Sequence, residues 1–410
     1  IDEGALLITT YEGPVWHVST TGSDSTGDGS EENPFATIQK GIDTASEGDT
    51  VLVSAGTYYE NIVWPEMDGI SLVGNNAEDC IIDGSDTARV IDIWVLGTLI
   101  TELTVIENFT IQNGNAGIYF GGGIRIGNSN ARINNLIVRN NDANYGAGIA
   151  CSGCHGIFSN IELEDNIASS TGGGIGIFFN SSTNNFQPIF TDVNFTNNSA
   201  NMNNGGGAYL EKSATFINCS FINNTSLQGG ALYITNGSEI LIKETSIISN
   251  SATATGNYII SGGIYIAAGS ASLRNTIVWG NTPYNLQFNE VGPDSFFISY
   301  SDIQGGIEEI EIQGNNQYLE WDETNINSNP LFCNPDSGDY TLAENSPCVG
   351  SGENGANIGA LGVGCGIQVD WDFSLSEPVI EVLGTDNEWN PGDTISVEMD
   401  FCNNTDVAHN

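Results

Sequence analysis

Seven six-residue segments of this chain share one pattern at a nearly constant spacing. They run from Phe109 to Gly114, Leu136 to Asn141, Ile161 to Asn166, Val193 to Asn198, Cys219 to Asn224, Thr245 to Asn250 and Thr276 to Asn281. Their last positions step by 27, 25, 32, 26, 26 and 31 residues, so a long step reads as a loop inserted into one turn of a common unit. The third position is apolar throughout: Ile111, Val138, Leu163, Phe195, Phe221, Ile247 and Val278. Three residues before each segment from the second on stands Ile133, Phe158, Phe190, Phe216, Ile242 or Leu273. Alternate residues therefore face inward, as in a strand.

Polar columns flank the apolar ones. The sixth position is Asn141, Asn166, Asn198, Asn224, Asn250 and Asn281 in all but the first copy. The residue before each segment is Asn108, Asn135, Asn160, Asp192, Asn218, Glu244 or Asn275. Asn tolerates left-handed backbone geometry and bonds nearby main chain, so a coil is expected to turn its corner there. Stacked amides can then bond from coil to coil, as side-chain ladders do in cross-β stacks. A Gly-rich corner precedes another strand in each unit, as in Gly121-Gly-Gly-Ile-Arg-Ile126, Gly205-Gly-Gly-Ala-Tyr-Leu210 and Gly229-Gly-Ala-Leu-Tyr-Ile234. A leucine-rich repeat lacks this spacing and a propeller needs longer blades. The expectation is an all-β chain: a right-handed parallel β-helix, or solenoid, that buries a long core by stacking.

The ends modify this picture. Phe35, Ile38, Ile42 and Ala45 share one face at helical spacing, which predicts a short N-terminal helix capping the first coil. We expect an N-terminal strand segment over 1–21 and the β-helix over 22–366. The beginning of a C-terminal β-sandwich, incomplete, is expected over 367–410, where Pro391 to Val397 reads as strand. Ile1 in place of Met and the short sandwich predict a piece of a longer chain.

Composition narrows the partners. Eight Lys and Arg stand against 51 Asp and Glu, a formal net charge of −43. Such a surface repels nucleic acid and anionic lipid and attracts cations; solubility in salty water is the plainer account. No apolar run of about 18 residues is present, so direct membrane insertion is not expected. Cys333, Cys348 and Cys365 form a candidate disulfide group suited to an extracytoplasmic compartment, with their pairing open. Cys151 and Cys154 form a C-x-x-C with His155 alone nearby, which reads as a local disulfide or two thiols rather than zinc.

The run Gly22 to Ile38, with Gly48-Asp-Thr-Val51, Gly56-Thr-Tyr58 and Ile82-Asp-Gly84, resembles the opening of pectin-lyase-like right-handed β-helix proteins. Asn329-Pro-Leu-Phe332, Gly338 to Leu342, Ser346-Pro-Cys348 and Asn357 to Ala360 resemble the closing segment of large secreted bacterial members. The pieces around Tyr209, Leu232, Asn198 and Asn224 are similar to repeats of chlamydial polymorphic membrane proteins, which are adhesins. These resemblances imply the fold and a secreted or cell-surface, extracellular bacterial setting; many members are not enzymes.

Among relatives that are enzymes, hydrolases carry clustered Asp with a His motif and a basic pair, and lyases hold an acidic sugar through Ca²⁺ with a Lys or Arg base. Here the His are His17, His155 and His409, and the Lys are Lys40, Lys212 and Lys243, none beside an Asp cluster in the sequence. No catalytic residue is assigned. Glu162 and Glu164 have a spacing a glycosidase could use, but Arg139 at the matching position one coil earlier offers a plain ion pair. Asp24 and Asp28 in a Gly-rich loop are the candidate Ca²⁺ ligands, against an ordinary Asp-Gly turn.

Two outward rows turn apolar toward the C-terminal coils. Tyr209, Leu232 and Tyr265 in one, and Trp279 in the other, are the candidate ligand-binding residues, able to stack on sugar or meet a protein unless the inserts near 251–261 and 282–296 cover them. The expectation is a non-catalytic structural stalk or adhesin, with polysaccharide or a cell-surface protein as partner. The competing readings are a Ca²⁺-dependent polysaccharide lyase or glycoside hydrolase, and a self-associating filament subunit.

Overall fold

A computed structural model describes residues 14–95, 99–178, 187–254, 260–288, 295–312 and 318–368, and the backbone of strands Phe373–Leu375, Val379–Leu383, Thr394–Glu398 and Phe401–Asn403. The chain divides into two compact units, residues 1–330 with 347–362, and residues 331–346 with 363–410.

The first unit is a stack of coils, and every pairing in its three long sheets is parallel. The long face carries the eight-residue strands Val105–Gln112, Arg132–Arg139, Ile157–Glu164 and Ile189–Thr196, continued by shorter ones. The corner face follows the Gly turns and includes Ile124–Gly127, Ile149–Ser152, Ile175–Phe178 and Ala208–Leu210. A short face closes the middle coils, from Asp142–Tyr145 to Ser251–Ala252.

The apolar columns fill the bore. Val138, Phe195, Phe221 and Val278 are wholly buried, and Leu163 lies in register between Val138 and Phe195. Phe195 and Phe221 stack at 4.3 Å, and Phe158, Phe190 and Phe216 stack in sequence at 4.8 and 4.9 Å. Identical rings meet because parallel in-register strands place equivalent side chains about 4.8 Å apart. Each buried ring contributes roughly 1.5–3 kcal/mol.

The asparagines divide into distinct columns. The sixth-position amides are buried and continuous: each Nδ2 donates to the next Oδ1 from Asn141 through Asn166, Asn198, Asn224 and Asn250 to Asn281, at 2.9–3.0 Å. Each Oδ1 from Asn166 on also accepts the backbone N–H of the preceding ladder residue. The left-handed corner falls one residue earlier than expected, on Asn113, Asn140, Asp165, Asn197, Asn223, Ser249 and Gly280, with φ between 52° and 68°. A residue that turns the chain and one that aims its amide inward cannot be the same residue, so the fifth position bends and the sixth bonds.

The outer column, Asn108 to Asn275, is left-handed throughout and kinks each long strand at its middle. Its amide chain is interrupted. Asn160 donates to Asn135 and Asn135 to Asn108, and separately Asn218 donates to Asp192. Asn275 departs from the expected ladder: its Oδ1 accepts Glu353 N–H and its carbonyl accepts Gly359 N–H, because the returning segment 347–362 crosses the coils there.

The helix is Ile38–Thr44, shorter than its apolar spacing suggested, with Thr37 as N-cap and Ile38 and Ile42 buried. Glu60 accepts the first two helix N–H groups, Ile38 and Gln39. Those donors have no partner inside the helix.

In the second unit Phe332–Asn334, Asp339–Ala343 and Val363–Cys365 form a small sheet, with Cys333 bridged to Cys365. Phe373–Leu375 pairs antiparallel with Phe401–Asn403, and Val379–Leu383 with Thr394–Glu398. Residues 384–393 and the tail with His409 lie outside the described residues, as do positions 1–13 of the expected N-terminal strand segment.

Candidate functional site

The outward row of the corner face is Asp92, Arg125, Ala150, Gly176, Tyr209, Tyr233 and Tyr265, aligned by strand register. Leu232 is not in it. Leu232 pairs with Ala208, is fully buried, and leaves the outward place to Tyr233. Counting from the last Gly misplaced it: Ala231 occupies the position that Gly207 holds one coil earlier, and a one-residue slip reverses every side chain.

The tyrosines form a column. Tyr209 and Tyr233 stack at 5.5 Å and Tyr233 and Tyr265 at 5.2 Å, while Phe178 tilts against Tyr209 at 5.9 Å. Ring faces are thus spent on one another. Tyr265 is only 4% exposed, so the column offers edges and hydroxyls, not open faces for stacking. Burial, with the charge of Glu211, raises the Tyr209 phenol well above its usual value; burial raises Tyr265 to about 12. Tyr209 donates to Glu211 at 3.0 Å. Trp279 is partly exposed at the end of its own row, next to the buried Ile248. The inserts at 255–259 and 289–294 lie outside the described residues.

An open groove of about 570 Å³ lies at the other end of this face, lined by Asn61, Asp86, Arg89, Asp92, Asn115 and Tyr119 among others. Arg125 grips Asp92 with two bonds of 2.7 Å and Arg89 adds a third at 2.9 Å. Trp94 covers the Arg125 guanidinium at 4.9 Å. Such bidentate, stacked geometry is specific to Arg. Asn61 pins the lining loop by donating to the carbonyls of Ala88 and Arg89 and accepting from Thr87. Tyr119 stands 62% exposed at the wall. Partial burial, then the charge of Asp86, raises the pKa of Asp142, which pairs with the groove residue Asn115.

The remaining sequence candidates have local partners. Asp24 accepts from the backbone N–H groups of Ala36 and Thr37 and the Thr37 hydroxyl, and Asp28 accepts from Ser30 N–H. Burial alone would raise Asp24, but those bonds and the charge of Lys40 hold its carboxyl below the usual range. Among the described residues no three His, Cys, Asp or Glu side chains gather as a metal site. Arg139 Nη1 lies 3.6 Å from Glu164 and its Nε donates to Gln112, a coil-to-coil network. Lys243 pairs with Glu244, and Lys40 lies over the Phe35 ring.

Cys151 and Cys154 form a disulfide. Cys348 keeps its thiol, which donates to Asp302 Oδ2 at 3.1 Å. That pair is buried, and desolvation raises Asp302 to about 6. Neither the groove nor this pair was named from sequence. Arg89-x-x-Asp92 was readable there, but only register brings Arg125 to it.

No family model and no curated protein sequence matches the chain. Solved structures do. Pectate lyase Pel9A aligns over 86% of this chain and 97% of its own at 11% identity, with a TM-score of 0.50. A rhamnogalacturonan lyase aligns over 77% and 87% at 14% identity (TM-score 0.37), and the pectin methylesterase from carrot over 79% and 91% at 12% (TM-score 0.33). Among the described residues no helix is long and apolar enough to cross a membrane. At 11% identity the likeness to pectate lyase Pel9A speaks for architecture alone: the chain has a right-handed parallel β-helix fold.

Proposed function

We propose that this chain is a non-catalytic extracellular β-helix rod, a stalk or adhesin, that binds carbohydrate in the groove lined by Asp86, Arg89, Asp92 and Tyr119. The observation that carries the reading is how the groove's charges are spent. Arg125 and Arg89 are both committed to Asp92, and Trp94 covers Arg125. A lyase base must accept a proton, and a guanidinium held by a carboxylate does not release one to make room. What stays open is the exposed Tyr119 ring beside amide and carboxylate groups, which suits sugar hydroxyls and ring faces. The net charge of −43 disfavours strongly anionic chains unless Ca²⁺ bridges them.

The test is a polysaccharide panel with the purified chain, with and without Ca²⁺, read for retention and for product. Retention without new ends is expected, and Tyr119→Ala weakens it by about tenfold, the scale of one stacked aromatic anchor. New reducing or unsaturated ends would overturn the reading in favour of a hydrolase or lyase.

A further inference from the structure

A second groove, of about 580 Å³, lies on the outer side of the long face, away from the corner-face row. Strand register aligns Thr215, Leu241, Ser272 and Phe297 in its lining, one residue per coil, and continues the row beyond it to Ile189 and Ile157. Ile157, Ile189, Leu241 and Phe297 are 45%, 39%, 41% and 40% exposed, although outward positions of a solvated rod need no large apolar side chains. A parallel row adds Glu239, Ser270, Ser295 and Tyr318. The Phe297 and Tyr318 rings sit 6.0 Å apart at 51°, so neither covers the other's face, unlike the stacked tyrosines of the corner face.

The order within the row is informative. Over the four coils from Thr215 to Phe297 it alternates hydroxyl, aliphatic, hydroxyl, aromatic, with coils about 4.8 Å apart, and Glu320 follows in register beyond them. In an extended β-1,4-linked glycan each ring is flipped relative to the one before, so its apolar faces and hydroxyl edges also repeat every second unit. A hexose unit is comparable in length to one coil step. The described lining includes no Lys or Arg and one acid, Glu239, which matches an uncharged, hydroxyl-rich ligand. Two bonds tie the wall: Ser295 donates to Ser270 at 2.7 Å, and His155 Nδ1 accepts Gln187 N–H at one end.

We infer that this groove binds an uncharged β-1,4-linked glycan chain running along the rod axis, with Phe297 and Leu241 under alternate rings. The site is independent of the Arg89–Asp92 groove. The probes are cellohexaose, xylohexaose and mannohexaose, with maltohexaose as the α-linked control, titrated against the intact chain by calorimetry. At least one β-linked probe gives saturable binding and maltohexaose gives none. Phe297→Ala and Leu241→Ser each weaken binding by about tenfold or more. Tyr119→Ala leaves it unchanged, which separates this site from the first groove. Both variants are at exposed positions, and unchanged circular dichroism confirms their fold. No saturable binding of any β-linked probe at millimolar concentration would overturn the inference, as would equal binding of maltohexaose. Light scattering showing a dimer that Phe297→Ala dissociates would also overturn it, assigning the face to a second copy of the chain.

Discussion

Asn160 and Asn166 stand six residues apart in one coil, one on the outer column and one on the inner. Asn160 has φ of 53° and an exposed amide that donates to Asn135 at 2.6 Å. Asn166 is fully buried; it donates to Val138 O and Asn198 Oδ1 and accepts from the N–H and Nδ2 of Asn141. The outer column needs a backbone conformation and takes Asp192 and Glu244 in place of Asn. The inner column needs one donor-acceptor group in a dry place, and from Asn141 to Asn281 every member is Asn. The same side chain is therefore kept for two different reasons, conformational outside and electrostatic inside.

Breaking the inner column should cost most. Asn166→Ala orphans Asn141 N–H and removes one bond each from Asn141 Nδ2, Val138 O and Asn198 Oδ1, the last keeping the N–H of residue 166. With roughly 1–3 kcal/mol for the unsatisfied N–H and about 0.5–1.5 kcal/mol for each of the other bonds, a loss of about 4 kcal/mol in urea-unfolding stability is expected. An effect below about 1 kcal/mol would mean water replaces the ladder.

Asp302 is a buried polar group with fewer side-chain partners than the inner asparagines: Cys348 Sγ and Ser328 N–H. Desolvation raises its pKa from 3.8 to about 6 in the folded chain. Its folded pKa lies above its unfolded one, so the folded state holds the proton more tightly. The stabilisation is present below about pH 4 and is lost as pH rises through about 6, to the extent of about 3 kcal/mol. Asp302→Asn should flatten that slope between pH 4 and 7; an unchanged slope would assign it to other carboxylates.

The outer column should respond least. Asn160→Ala is expected to cost about 1 kcal/mol, because a Cβ residue without a compensating amide is strained in the left-handed region. Asn160→Gly should stay within about 0.5 kcal/mol of the parent, since Gly enters that region freely. If Gly cost as much as Ala, the amide bond to Asn135, and not the backbone, would be what matters at this position.

The columns were readable in the sequence because stacking forces like residues onto like. Ile111 to Val278 announced the bore, and Asn141 to Asn281 announced a ladder. The left-handed corner at Asn140 and Asn197 was hidden next to the ladder, since both positions are Asn and composition does not separate bending from bonding. Leu232 was misplaced by one residue because Ala231 stands where another coil has Gly. The groove at Asp92 and the Asp302–Cys348 pair join residues 33 and 46 apart through register and a returning segment, which no local pattern encodes.

The coils stack in register at one-strand spacing. Thr196 and Ile222 pair across neighbouring coils, and Ile222 pairs with Ile248 in the next. At about 4.8 Å, neighbouring positions are within disulfide reach, whereas Thr196 and Ile248, at about twice that, are not. Mild oxidation followed by peptide mapping should find a 196–222 bridge in the Thr196→Cys, Ile222→Cys variant and no 196–248 bridge in the Thr196→Cys, Ile248→Cys variant. A bridge only in the second, or in neither while both remain folded, would contradict the coil register.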